Sequence, residues 1–241
     1  MFDIPEKYKM DVKIPLKDFI PKDLKPELKR KVKSAVKEVR LLYQISGEDI
    51  PSVMNEEYRC QVIQIYDIQI QNIKDASMIA NTYQNLIKSL CVLRIRDSVK
   101  EVYSFAIKRL SQTEENEIVV TESSMTEPYM TVLPDKKKDQ LARVLSYKQL
   151  LNKTNKFNLY MEAYTKQYMI KNEKAYVNVE QIMRCPVWYD TKKVLHLYSV
   201  LKQIVLKKES VLTVNSNAEK VKLNQEMKEL LTKLEEIEGW K

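Results

Sequence analysis

The sequence predicts an α+β protein: a small mixed sheet with flanking helices, followed by a helical C-terminal region ending in a helical hairpin. Three observations carry this. Runs that alternate apolar and polar residues, as half-buried strands do, are confined to residues 1–133. From residue 134 to 241 they give way to apolar residues spaced three and four apart. The 241-residue chain is 44% hydrophobic and 31% charged, enough for a real core under a soluble surface. The expected organisation is therefore an α+β domain over 1–133 and a helical region over 134–241.

Taken in order, Pro26 suits a first helical position. Leu28, Val32, Ala35, Val36 and Val39 share one face, so a basic amphipathic helix is expected from Pro26 to about Val39. "RLLYQIS" then reads as a short strand ending near Gly47, and Asp49 to Glu57 as a loop holding Pro51. A strand is expected from about Tyr58 to Ile70. Asp75 fits the N-cap of a following helix, with Ile79, Tyr83, Leu86 and Leu90 as its buried stripe. "CVLRIRDS" and "VKEVYSFAIKRL" read as a hairpin turning near Asp97 and Ser98. "EIVVTESSMTEPYMTVL" offers a further strand or hairpin, with Pro128 restricted to an edge or bulge.

Beyond Pro134, Asp135 to Asn152 and Phe157 to about Ile170 are helical candidates. Between Asp190 and Lys208, the residues Val194, Leu197, Leu201 and Ile204 form one continuous seam. In the last helix Ser216 and Glu219 fit a capping box, and Gly239 fits a C-terminal stop. Leu223, Met227, Leu230, Leu234 and Ile237 alternate four and three apart between them. That seam is about two heptads long, short of the roughly three or four an independent coiled coil needs. It is expected to pack on the Asp190–Lys208 helix as an antiparallel hairpin, with a partner helix as the alternative occupant.

Composition excludes several functions. Only two glycines, Gly47 and Gly239, are present, so no Walker loop or dinucleotide fingerprint can be built. No cofactor is expected. A single histidine, His196, cannot anchor a conventional zinc site without close Cys or His partners, and no nucleophile is evident for a triad around it. Three widely spaced cysteines, Cys60, Cys91 and Cys185, fit reduced thiols. No apolar run reaches the roughly 18 residues of a membrane span, and the polar start, broken by Pro5 and Pro15, is no secretory signal. A cytoplasmic protein without membrane contact is expected.

The net charge of +8 makes nucleic acid or another anionic surface a candidate partner, without establishing one. The basic clusters are the helix holding Lys29, Arg30, Lys33 and Lys37, the run Lys136, Lys137 and Lys138, and Lys192, Lys193, Lys207 and Lys208. Aromatics are sparse among them, so there is no stacking platform for single strands. In "QVIQIYDIQIQNIKD" one face carries Val62, Tyr66, Ile68 and Ile70. The other begins with Ile63 and Ile65 and turns polar at Asp67, Gln69 and Gln71. A strand carboxylate at such a point suits either a metal site, with Glu48, Asp49, Glu56 and Glu57 of the preceding loop as further ligands, or a strand running out of a core into water.

The segments "IPLKDF", "LKRKVKSAVKEVRLLYQIS", "CQVIQIYDIQIQ" and "NAEKVKLNQEMKELLTKLEEIEG" together resemble the bacterial "domain of unknown function 4391" family along nearly the whole chain. Family genes tend to lie beside restriction, methyltransferase and helicase genes. The resemblance thus implies a non-catalytic accessory subunit of an anti-phage defence or restriction-modification complex. Its partners would be a helicase, methyltransferase or nuclease subunit, and DNA. It also implies an acid-x-acid-x-Lys pattern at the end of the second strand, matched here by Asp67, Gln69 and Gln71. Two glutamines there supply neither charge nor a base, which weakens the competing reading of a metal-dependent nuclease centred on Asp67.

Overall fold

The computed structural model describes residues 2–22, 24–114, 117–176, 178–214 and 216–238. It is a mixed α+β structure divided into two compact units, Met1–Tyr160 and Met161–Lys241. The first unit holds β1 (Lys9–Ile14), α1 (Leu16–Phe19), α2 (Pro26–Ala35) and β2 (Val36–Ile45). After them come the short strands β3 (Val53–Met54) and β4 (Arg59–Cys60), then β5 (Ile63–Ile70), α3 (Ala76–Leu86), β6 (Leu90–Arg96) and β7 (Lys100–Leu110). It ends with β8 (Ile118–Met125), β9 (Tyr129–Met130), α4 (Lys136–Val144) and the start of α5 (Lys156–Lys171). The expected change of character after Pro134 therefore lies inside this unit, with α4. The second unit holds the rest of α5, then α6 (Val179–Ile182), α7 (Thr191–Thr213) and α8 (Asn217–Glu238).

Among the described residues a seven-stranded sheet runs β1-β2-β5-β6-β7-β8, and β9 also pairs with β7. Only β5 and β6 are parallel, joined through α3; the other pairs are antiparallel. A parallel neighbour needs a crossover, and α3 supplies it. Tyr66, Ile68, Ile70, Leu93, Ile95 and Val102 face Val32, Ala35, Ile79, Ala80 and Tyr83 in one buried cluster. Phe19 of α1 stacks on Tyr83 with ring centroids 3.8 Å apart. One face of the sheet thus packs into this buried cluster. The edge strand β1 is bent at Asp11, whose φ of 48° is left-handed. The register against β2 shifts between Lys9 and Val12, and Arg40 donates from Nε and Nη2 to the Asp11 carboxylate.

Several boundaries differ from the sequence reading. The first basic helix stops at Ala35, and Val36 already pairs with Ile70. Val32, Ala35, Val36 and Val39 satisfy helical spacing, but Val36 and Val39, both β-branched, pair as strand once a partner exists. The expected strand from Tyr58 splits: Arg59–Cys60 pairs with Val53–Met54, and β5 begins at Ile63. Asp75 makes no side-chain cap, because it ends a 3-10 turn over Ile73–Asp75 whose cap is Asn72, accepting from Lys74 N. Leu90 opens β6 and does not extend the helical stripe. The hairpin at Asp97 and Ser98 forms, with Asp97 accepting from Val99 N and Lys100 N. Pro128 lies between β8 and β9.

In the second unit Asp190 caps α7, accepting from Lys193 N. Helices α7 and α8 form the hairpin, with Val194, Leu197, Leu201 and Ile204 buried on α7 and Leu230 and Leu234 buried on α8. Ser216 Oγ accepts from Glu219 N at 3.5 Å, one half of the expected capping box. Gly239, expected to stop α8, lies outside the described residues. Among the described residues no helix is long and apolar enough to cross a membrane.

Candidate functional site

The sheet face opposite the α2–α3 core changes chemistry along its strands. At one end Ile63, Ile65, Val92 and Phe105 are buried, and Tyr160 Oη bridges the strands by accepting from Ala106 N and donating to Cys91 O. Two residues further along each strand the same face becomes charged. The registers pair Asp67 with Arg94, Arg94 with Tyr103, and Arg96 with Glu101. Alternation therefore sets Asp67, Arg94, Arg96, Glu101 and Tyr103 side by side.

Asp67 is only 5% exposed, and guanidinium groups hold its carboxylate. Arg96 Nε donates to both carboxylate oxygens, at 2.9 and 3.0 Å, and Arg96 Nη2 donates to Oδ2 at 2.9 Å. Arg94 Nη1 lies 3.6 Å from Asp67, an ionic contact without a hydrogen bond. Glu101 is fully buried and held more completely. It accepts from Tyr103 Oη at 2.7 Å, from Arg94 Nε at 3.1 Å and from Arg94 Nη2 at 2.5 Å, with Lys138 Nζ at 3.2 Å. Lys138 comes from α4, where Asp135 caps the helix by accepting from Lys137 N and Lys138 N. Its ammonium also donates to Met130 O and Thr131 O.

These contacts set the charge states. Burial pushes the Glu101 carboxyl up, but hydrogen bonds from Tyr103 and Arg94 and the guanidinium's charge outweigh burial and hold it below its ordinary value. Burial works against the Arg94 guanidinium too, yet the hydrogen bond to Glu101 leaves it more firmly protonated. Burial, together with the charge of Glu101, raises the Tyr103 phenol. Within the cluster Glu101 is therefore held as a carboxylate and Arg94 as a guanidinium, while Tyr103 keeps its proton. Beside it lies a cavity of about 200 Å³ lined by Phe2, Arg94, Glu101, Tyr103, Lys138, Leu141 and Ala142.

The other residues singled out from sequence lie elsewhere. Gln69 is half-buried, and Gln71 is exposed past the end of β5. The loop of Glu48, Asp49, Glu56 and Glu57 joins β2 to the opposite end of β5, and Asp49 pairs with Lys7. Among the described residues no group of three or more His, Cys, Asp or Glu side chains is placed to hold a metal ion. Arg30 and Lys33 are exposed on α2, while Lys37 is exposed on β2, beyond the helix. Lys29 is half-buried and donates to Lys22 O. The three consecutive lysines part company: Lys136 is exposed, Lys137 pairs with Glu127, and Lys138 enters the charged cluster. Lys192 and Lys193 are exposed, Lys207 pairs with Glu226, and Lys208 donates to Lys174 O. His196 is exposed. Leu223, Met227 and Ile237 are half-buried, flanking Leu230 and Leu234 on the face that α8 turns to α7.

Arg94, Arg96, Glu101 and Tyr103 were not singled out from the sequence. Their signal was present in "LCVLRIR" and "KEVYSF": charged residues at period two inside strands apolar enough to be buried on both faces.

The sequence profile of a family described as "Domain of unknown function (DUF4391)" matches residues 2–234. No curated protein and no solved structure matches the chain.

Proposed function

The chain belongs to the family described as domain of unknown function DUF4391, a description that names no activity, and we propose that it is a non-catalytic accessory protein that contacts nucleic-acid phosphates through its basic faces. The observation that carries this reading is the state of Asp67. Both carboxylate oxygens accept hydrogen bonds from Arg96, with Arg94 alongside. A carboxylate neutralised in this way is a poor ligand for Mg²⁺, which favours oxygen donors with charge to spare. That argues against hydrolysis at this strand and for a role played by surfaces. The surface that fits is the exposed side of α2 with Arg30 and Lys33, continued by Lys37 on β2. The protein partner proposed is a helicase, methyltransferase or nuclease subunit of a bacterial defence or restriction-modification complex, and its support is the family resemblance.

The test is fluorescence anisotropy with labelled duplex DNA across a salt series, beside a plasmid-cleavage assay in Mg²⁺ or Mn²⁺. Binding should occur at low salt, weaken as salt rises, and drop in the Arg30→Glu/Lys33→Glu variant. No plasmid cleavage is expected. Absence of binding at low salt overturns the phosphate-contact reading. Cleavage abolished by Asp67→Ala overturns the non-catalytic one.

A further inference from the structure

We propose that the cavity between the β6–β7 hairpin and α4 binds a small organic acid: one carboxylate or phosphate oxyanion carried on an apolar ring. The cations come first. Arg94, Arg96 and Lys138 form their salt bridges with Asp67 and Glu101, and Lys138 also lies in the field of Asp135. Two of the three cations, Arg94 and Lys138, line the cavity.

Both are held in place before any ligand arrives. Glu101, fully buried behind them, fixes Arg94 through Nε and Nη2 and touches Lys138. Met130 O and Thr131 O fix the lysine further. Donors immobilised in this way lose little freedom on binding. Arg94 Nη1, beyond hydrogen-bond reach of Asp67, keeps donor capacity for an incoming oxyanion.

Apart from Glu101, the remaining walls are mostly apolar. Phe2 and Tyr103 bring their rings within 5.4 Å, and Leu141 closes one side. Phe2 stands there at a conformational cost, with φ of 54° and Asp3 after it at 45°. Tyr147 N donates to Phe2 O and Ser146 Oγ donates to Asp3, pinning this strained segment across the cavity wall. Strain maintained by surrounding contacts is typical of ligand clamps. The volume of about 200 Å³ lies below the roughly 300 Å³ at which pockets begin to take drug-sized ligands. A single ring with one acidic group is the matching size.

The experiment titrates benzoate and phenyl phosphate into the full chain at constant ionic strength, followed by amide chemical shifts, with benzyl alcohol as the neutral control. Saturable shifts centred on Arg94, Tyr103, Lys138 and Ala142 are expected from at least one of the two acids, and none from benzyl alcohol. Arg94→Gln should weaken that binding roughly tenfold, the loss of one charge-assisted hydrogen bond. Ala142→Trp keeps every charge and blocks the rim, so it decides the matter if Arg94→Gln does not fold. No saturable shift, equal response to benzyl alcohol, or unchanged affinity in Ala142→Trp overturns the proposal. Displacement of the acid by a short oligonucleotide moves the oxyanion to nucleic acid and overturns the small-acid assignment.

Discussion

Asp67 combines the burial of a core residue with the partners of a surface one. Removing a carboxylate from a buried pair leaves the cations uncompensated, a loss of about 3–5 kcal/mol in full burial. Arg94 and Arg96 are 23% and 29% exposed, so water recovers part of that, and Asp67→Ala should lower unfolding free energy by about 1–3 kcal/mol in urea titration. Glu101 adds a pH dependence. Its folded carboxyl titrates below the ordinary value of 4.5. Its contribution is therefore complete above that value and disappears as pH falls through the lower, folded one. Glu101→Gln should be less stable than the parent near neutrality and should show a shallower acid limb, the two curves approaching at low pH in thermal melts. At this scale the sequence was partly legible. Asp67 stood out because its neighbours on that face are amides. Its guanidinium partner Arg96 is far from it in sequence, and only the parallel β5–β6 register brings the two together.

Patterns of period two and 3.6 located most elements, including the β6–β7 hairpin and both helices of the C-terminal hairpin. They failed where one sequence satisfies both periods. Between Val32 and Val39 the apolar residues fit a helix stripe and a strand face alike. The contest is decided by Ile68 and Ile70, which pair with Val39 and Val36. Such pairing is invisible locally. The α7–α8 hairpin was legible because its seam keeps one period, from Val194 to Ile204 on α7 and over about two heptads from Leu223 to Ile237 on α8. That seam is also where the hairpin's cohesion lies: Leu230 and Leu234 are 5% and 4% exposed. Leu230→Ala or Leu234→Ala should cost about 2–3 kcal/mol, since the cavity left behind adds to the lost transfer energy. Hydrogen exchange should quicken in α7 and α8 while amides of β5 and β6 keep their protection. Because this seam is already occupied inside the chain, a partner helix would have to displace α7 or lie on the outer faces, where Leu212 and Val221 are 85% and 69% exposed.

At the scale of the whole chain the charge of +8 was plain from composition, but its distribution was not. Part of the positive charge is spent internally, as Lys138, Arg94 and Arg96 show, and part is paired at the surface, as in Lys31 with Glu27 and Lys137 with Glu127. The slope of log affinity against log salt should therefore report only a few phosphate contacts, roughly two to four at about 0.9 per contact on duplex DNA. A much steeper slope would place more of the lysines at the nucleic acid than α2 and β2 offer. The sheet's own margin imposes a different limit. A second chain can add a strand only where amides and carbonyls are evenly spaced along an open edge. On β1 that spacing is broken at Asp11, and Arg40 fastens the break to the neighbouring strand, with Lys9 and Lys13 beside it. At the β1 edge this hinders extension into a larger sheet and guards that side against edge-to-edge aggregation.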